Sequence, residues 1–316
     1  MKENFASDNH NRIDGEIDLY DLFLVIMSGK WLIIAITFIL SLLSIVYAVY
    51  QPNVYRSEAL LAPAEQQQSN GLSTLAGQFG GLASLAGVNF GDSGSNNTDL
   101  ALAILKSRKF ISEFIEKHSI MPDLMAIESW SSIDNTVIYD KNIYDEGARK
   151  WVRKVDFPFK PKPSTQEAYK EFIKMVSATK DPESGMIIIA VEHFSPFIAQ
   201  QWVNWLIEDI NLTMKKRDVI EATKSTEFLM AQIEKTNVAD IRVVLYKLVE
   251  EQAKTIMFAN VREEYVFKTI DPALVPEEKL KPKRALIVIV STFFAGVIGV
   301  FIVLIRFYIS NNRRKS

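Results

Sequence analysis

The sequence predicts an α+β domain that carries a long, extended helical hairpin and is held between two transmembrane helices. Three observations lead there. Uncharged apolar runs lie near both ends, at 31–50 and 285–305. Between them, short strand-like runs alternate with helical stretches that carry recognisable start signals. From Pro196 to about residue 268 there is no glycine and no further proline, and strong helix formers dominate.

The first run lies between Lys30 and Arg56 with no charge inside it, about the ~20 residues needed to cross ~30 Å of hydrocarbon. Trp31 at one end and Tyr47, Tyr50 and Tyr55 at the other fall where amphipathic rings favour the headgroup layer. The second run is bounded by Lys283, Arg284 and Arg306. A cleaved signal peptide competes for the first run, with Val46, Tyr47 and Ala48 as a cleavage-like site. The length of the run and the preceding Asp14, Glu16, Asp18 and Asp21 favour an anchor.

Arg12, Lys30, Arg306 and the basic tail put both termini in the cytoplasm. The basic residues before the second run belong to a long translocated domain, where charge counting loses force. The expected layout is a cytoplasmic segment 1–30, a first span 31–51, a periplasmic domain 52–284, a second span 285–305 and a cytoplasmic tail 306–316. Ile17, Tyr20 and Leu24 share one helical face and Asp14, Asp18 and Asp21 another, which predicts a short interfacial helix touching membrane lipids. Ser291, Ala295 and Gly299 lie four apart, with Gly296 beside them. Such small residues let helix backbones approach, within or between protomers, or are incidental.

In the domain, 54–61 reads as a strand leaving the membrane. Residues 66–97 are rich in Gln, Ser, Asn and Gly, and the Gly/Leu pattern at 71–87 either rests on a membrane or neighbouring chain or forms a flexible loop. Thr98 and Asp99 can cap an apolar-periodic helix over 100–115 that leaves Lys106, Arg108 and Lys109 exposed. Ser164 and Glu167 have capping-box spacing and open a helix through Ile173. Residues 176–179 and 186–192 flank a turn in which Gly185 is free to take positive φ, so they read as a β-hairpin.

The helical region 196–268 has its weakest stretch at 236–240, where Asn237 can end one helix and Asp240 cap the next. The expectation is a tall hairpin, not a single rod. In its second arm Ile241, Val244, Leu245, Leu248 and Ile256 form one apolar stripe, with Val243, Val249 and Met257 beside it. That width reads either as contact with other protomers or as burial within the domain.

Chemistry is sparse. The chain has 316 residues, 48% of them hydrophobic, a formal net charge of −2 and no cysteine. That composition suffices for two spans and one core. It argues against nucleic acid as a partner, removes disulfides and thiol chemistry, and agrees with a periplasmic domain. His10, His118 and His193 are far apart in sequence, and no Gly-x-x-x-x-Gly-Lys-Ser/Thr loop is present. Glu250, Glu251, Glu263 and Glu264 read as solvated helix faces. No catalytic residue, metal site or cofactor is expected.

Four stretches together resemble the Wzz chain-length determinants, which are polysaccharide co-polymerases. They are 100–110 with its Ser-Arg-Lys-Phe, the helix bearing Glu250-Glu-Gln252 and Arg262-Glu-Glu-Tyr265, the stretch 270–277 (Ile-Asp-Pro-Ala-Leu-Val-Pro-Glu), and 281–285 (Lys-Pro-Lys-Arg-Ala). The most specific part is the approach to the second span through Pro272, Pro276 and Pro282, with Gly296 and Gly299 inside it. The resemblance implies a non-enzymatic, ring-like homo-oligomer of the bacterial inner membrane. Such a protein sets the modal length of lipid-linked polysaccharide, usually the O-antigen of lipopolysaccharide, made by a Wzy-type polymerase. Regulators of enterobacterial common antigen or capsule are similar, so the polymer stays open.

Prolines fix φ and forbid helix, so Pro272, Pro276 and Pro282 form a stiff connection expected to couple the domain to the span. Relatives with a cytoplasmic tyrosine-kinase domain carry it after the second span; the short tail here implies no kinase activity. Val238, Ile241, Val244 and Leu248 on the hairpin are the candidates for oligomer contact and length control. Rival readings are a two-span periplasmic receptor, an enzyme acting on lipid-linked sugar, and an assembly scaffold or export subunit.

Overall fold

A computed structural model describes residues 19–64 and 93–315. In chain order the elements are α1 (Leu19–Ser28), α2 (Lys30–Tyr50), β1 (Tyr55–Pro63), α3 (Ser93–Leu105), α4 (Arg108–Lys117), α5 (Met121–Met125), β2 (Ile127–Ser131) and β3 (Thr136–Tyr139). There follow β4 (Tyr144–Asp145), β5 (Lys150–Trp151), α6 (Thr165–Met175), β6 (Val176–Lys180), β7 (Ile187–His193), α7 (Pro196–Lys235), α8 (Ala239–Val261), β8 (Phe267–Asp271) and α9 (Arg284–Lys315). They fall into two compact units, Met1–Gln51 with Pro282–Ser316, and Pro52–Lys281. The Gly/Leu-rich 71–87, and Asp14, Ile17 and Asp18 of the expected interfacial helix, lie outside the described residues.

The second unit is built on a four-stranded antiparallel sheet in the order β6-β7-β1-β8. Strand β1 shows why a sheet with one covered face forms. Ser57, Ala59 and Leu61 are buried while Arg56 and Glu58 beside them are exposed, the period-2 alternation of a half-buried strand. Tyr55 pairs with His193 and Leu61 with Ile187, and the register against β8 shifts between Leu60 and Leu61. The β6–β7 hairpin forms where expected. Asp181 accepts hydrogen bonds from the backbone N–H groups of Glu183 and Ser184, and Gly185 takes φ +69° to close the turn.

Helices cover that sheet with an aromatic core. Phe114 of α4 lies 5.4 Å from Phe172 of α6, Phe172 5.9 Å from Trp202 of α7, and Trp202 5.0 Å from His193 of β7, measured between ring centroids. The capping box opens α6 as expected: Ser164 Oγ accepts from the Glu167 N–H and the Glu167 carboxylate from the Ser164 N–H. Arg153 pairs with Glu167 at 2.8 Å and donates to the carbonyls of Lys160 and Pro161, tying the proline-rich approach to this cap. Partial burial pushes the Glu167 carboxyl up, but the Ser164 N–H and the Arg153 guanidinium outweigh it and hold the group below its ordinary value.

Two expectations about helices are corrected. The apolar run 100–115 is not one helix, because Ser107 leaves helical geometry and its side chain accepts from the Phe110 N–H, ending α3 and opening α4. The region 196–268 does divide near 236–240, but Asp240 is not the cap. Helix α7 ends at Lys235, Val238 occupies the cap position of α8 without a side-chain bond, and Asp240 sits in the first turn, where a negative charge favours the helix dipole. Helix also stops at Val261, short of residue 268, since Phe267 and Lys268 already belong to β8. At ~1.5 Å per residue, the 40 residues of α7 extend ~60 Å. Its first half is anchored in the core through Trp202, Val203, Leu206, Ile210 and Met214; beyond these, Ala222 and Ile233 are its buried apolar residues.

The first unit pairs α2 with α9. Both contain segments long and apolar enough to cross a membrane, Lys30–Tyr50 and Arg284–Ile309, with mean hydropathy 2.7 and 2.8. Most of that apolar surface is uncovered, including Trp31, Phe38, Leu43, Phe293 and Phe301. A helix from a soluble core would bury such residues; these suit lipid. Ser41 and Thr292 share a 2.8 Å hydrogen bond, and Ala295 is buried.

A side-chain carbon on Gly299 would stand 3.2 Å from Ile33 Cγ2 and 3.3 Å from its Cα, and Gly296 faces Thr37. Main chain lies against main chain there, leaving no flexible group to move aside. Gly299→Leu is therefore expected to separate the two helices, weakening their pairing by about 1–3 kcal/mol. Cysteine pairs across α2 and α9 check this: crosslinking that stays as efficient as in the parent chain contradicts it.

Candidate functional site

The features with functional potential are the hairpin α7–α8, the seam where it joins the sheet, and the proline-rich exit. The seam is set by one residue. Asn211 sits on α7 among Ile207, Ile210 and Met214 and is buried. Its Oδ1 accepts from the backbone N–H groups of Tyr265, Val266 and Phe267 at 3.0, 2.8 and 3.0 Å, and its Nδ2 donates to the Phe267 carbonyl at 3.1 Å. Unpaired buried N–H groups are costly, so this side chain fixes where the chain leaves α8 and enters β8. Beside it the Tyr265 hydroxyl donates to Asp218 at 2.8 Å. Burial pushes the Asp218 carboxyl up more than that hydrogen bond lowers it, and the Tyr265 phenol is likewise raised, first by burial and then by Asp218.

Both described histidines belong to such structural contacts. His118 Nε2 lies 2.9 Å from Asp209 Oδ2, its ring stacks on Trp205 at 4.1 Å, and Lys117 pairs with the other Asp209 oxygen. This cluster ties the end of α4 to α7. His193 Nδ1 accepts from the Ser195 N–H at 3.0 Å, which leaves the proton on Nε2 to donate to the Asp123 carbonyl at 3.1 Å. Both bonds suit the neutral ring, and burial holds its pKa below the ordinary value. Among the described residues no three His, Asp or Glu side chains gather as a metal site.

The hairpin surface carries exposed apolar residues among its charged ones. Val238, Ile241 and Val244 are 53%, 49% and 42% exposed, while Leu248 is half-buried. Ile220 and Phe228 of α7 are also exposed. Of the stripe on α8, Ile241 and Val244 near the turn are exposed, and Leu245, Leu248 and Ile256 are half-buried. The exit 272–281 is irregular, bends at Glu277 and Glu278, and is pinned: Ser57 Oγ donates to the Leu274 carbonyl, Gln200 Nε2 to the Ala273 carbonyl, and Val54 bridges Lys281. Pro272 and Pro276 lie in this stretch, and Pro282 follows at the boundary of the two units. Sequence reasoning missed Asn211 and Asp209. Their signal was two polar residues at positions where an apolar face was due.

Residues 15–118, from the amino-terminal region through the Asp209-bound His118, match the family model described as "Wzz: Chain length determinant protein". Residues 235–308, from the hairpin turn into α9, match the model described as "G-rich domain on putative tyrosine kinase". A search of curated proteins finds no match. Among solved structures, one titled "full-length bacterial polysaccharide co-polymerase" is 12% identical, covering 93% of this chain and 99% of that one, at a TM-score of 0.39. Another, a fragment of the polysaccharide co-polymerase WzzB from Salmonella Typhimurium, is 11% identical and covers 72% of this chain and 100% of its own, at a TM-score of 0.28. Over residues 15–118, about a third of its length, this chain is similar to the Wzz chain-length determinants.

Proposed function

We propose that the chain sets the modal length of a lipid-linked bacterial polysaccharide, O-antigen in the first place, acting without catalysis beside a Wzy-type polymerase. The observation that carries this reading is the chain-length-determinant match. The two lipid-suited helices support an inner-membrane location, with both termini cytoplasmic and 52–284 in the periplasm. Exposed Val238, Ile241 and Val244 support self-assembly into a ring, because apolar side chains exposed at neighbouring positions offer a surface that a partner can cover. In this reading Pro272, Pro276 and Pro282 couple the periplasmic domain to the second span, and Val238, Ile241, Val244 and Leu248 tune the length.

The match at 235–308, by its printed association with a putative tyrosine kinase, favours a second reading: length control of another polymer, such as capsule or enterobacterial common antigen, in partnership with a kinase domain. Deleting the gene and running the surface polysaccharide on a gel tests the first reading. Loss of modal clustering with polymer retained supports it, and loss of all polymer argues for an enzyme or exporter. Within it, the double substitution Val238→Asp, Ile241→Asp is expected to shift the modal band without lowering the amount of protein in the membrane. An unaltered ladder removes these residues from length control.

A further inference from the structure

Helix α7 carries two clefts of opposite charge. One, of about 630 Å³, lies against α3 and α4 and is lined by Lys109, Lys216, Arg217 and Lys224, with Glu113 and Glu221. The other, of about 570 Å³, lies against the segment after α8 and is lined by Glu208, Glu263 and Glu264, with Lys215. Four cations face two carboxylates in the first, and three carboxylates face one cation in the second. At 3.6 residues per turn the α7 members of the two sets centre about half a turn apart, so the clefts open on opposite flanks of the helix. Among the described residues, Lys216, Lys224, Glu208 and Glu263 have no ion-pair partner. Each cleft also holds an exposed aliphatic side chain, Ile220 in the basic one and Leu212 in the acidic one.

We propose that the two clefts are halves of one contact, in which the basic cleft of one copy receives the acidic cleft of the next. This rests on the self-assembly put forward above and names the surfaces that carry it. A second copy is the occupant that both clefts call for at once, because each supplies the charge the other lacks and both present an apolar residue ringed by polar groups. Their placement on opposite flanks makes the contact heterologous. Such a contact repeats from copy to copy and forms a ring when the rotation between copies closes, whereas a two-fold dimer would need both charges on one patch.

The test uses the full-length chain in detergent at about 0.1 M salt, where exposed charges still interact over ~10 Å. Mass is read by light scattering for the parent chain, for Lys216→Glu, Lys224→Glu, and for Glu208→Lys, Glu263→Lys. The parent assembles; each double variant alone dissociates at concentrations at least about tenfold above the parent's. The first variant presents two acidic flanks and the second two basic ones, so mixing them restores assembly in equal proportion. That rescue also shows both variants folded. A variant that assembles like the parent, or a mixture that stays dissociated while both components keep the parent's circular dichroism and melting curve, overturns the charge pairing and leaves self-assembly standing. A parent chain that is itself monomeric overturns both.

Discussion

Asn211→Leu is expected to cost about 3–5 kcal/mol of unfolding free energy, among the largest effects of any single substitution in the chain. The reasoning is a count of orphaned groups. Leucine has the same number and branching of side-chain heavy atoms as asparagine and would join Ile207, Ile210 and Met214, so transfer from water even favours it. What it removes is the acceptor for the N–H groups of Tyr265, Val266 and Phe267 and the donor to the Phe267 carbonyl. Each buried donor left unpaired costs about 1–3 kcal/mol, and water can reach only part of the set. Asn211→Asp keeps the acceptor oxygens and is expected to lose less. Denaturant unfolding of the full-length chain, followed by tryptophan fluorescence, measures both. A leucine variant within 1 kcal/mol of the parent would mean the turn into β8 is held by packing instead.

That residue also shows where the sequence stops being legible. Local signals are legible because their cause is local: Ser164 and Glu167 are three apart and cap each other, and Gly185 supplies a positive φ that its neighbours cannot. The same holds for the two apolar runs, whose length and lack of charge alone suit them to hydrocarbon. The end of α8 has no such local cause. Residues 262–268 contain no glycine or proline, and propensity alone continues the helix through them. The decision comes from Asn211, 54 positions away from Tyr265.

The break at Ser107 is hidden in the sequence for a related reason. Apolar periodicity runs through 100–115 undisturbed, and only the competition of the Ser107 side chain for the Phe110 N–H ends α3. Weak helix formers at 236–240 signal the hairpin turn, yet its cap is Val238, whose apolar side chain cannot signal the role. Of the candidate site, the apolar surface near the turn could be read from composition. The clefts on either flank of α7 could not, since each needs residues from another element to complete it.

Trp202→Ala is expected to cost a further large amount, about 3–5 kcal/mol, and to change how stability depends on pH. Trp202 is 1% exposed and joins α7 to β7 by its contact with His193 and to α6 by its stacking on Phe172. Removing the indole leaves a cavity that the stiff sheet beneath cannot fill, which is why the loss exceeds simple transfer. The second effect runs through His193. In the parent chain burial keeps that ring neutral, with a folded pKa below the unfolded value of about 6.5. The unfolded chain therefore binds the proton more readily. Stability is full above the unfolded pKa and is lost as pH falls from there through the folded one. Opening the site to water lets the ring charge at a more ordinary pH in the folded variant, so the variant loses less on acidification. The stability gap between parent and Trp202→Ala is thus expected to narrow between pH 7.5 and pH 5, about one and a half units below His193's unfolded value. Unfolding curves at the two pH values test this. A gap that stays constant or widens would show that His193 does not govern the acid limb.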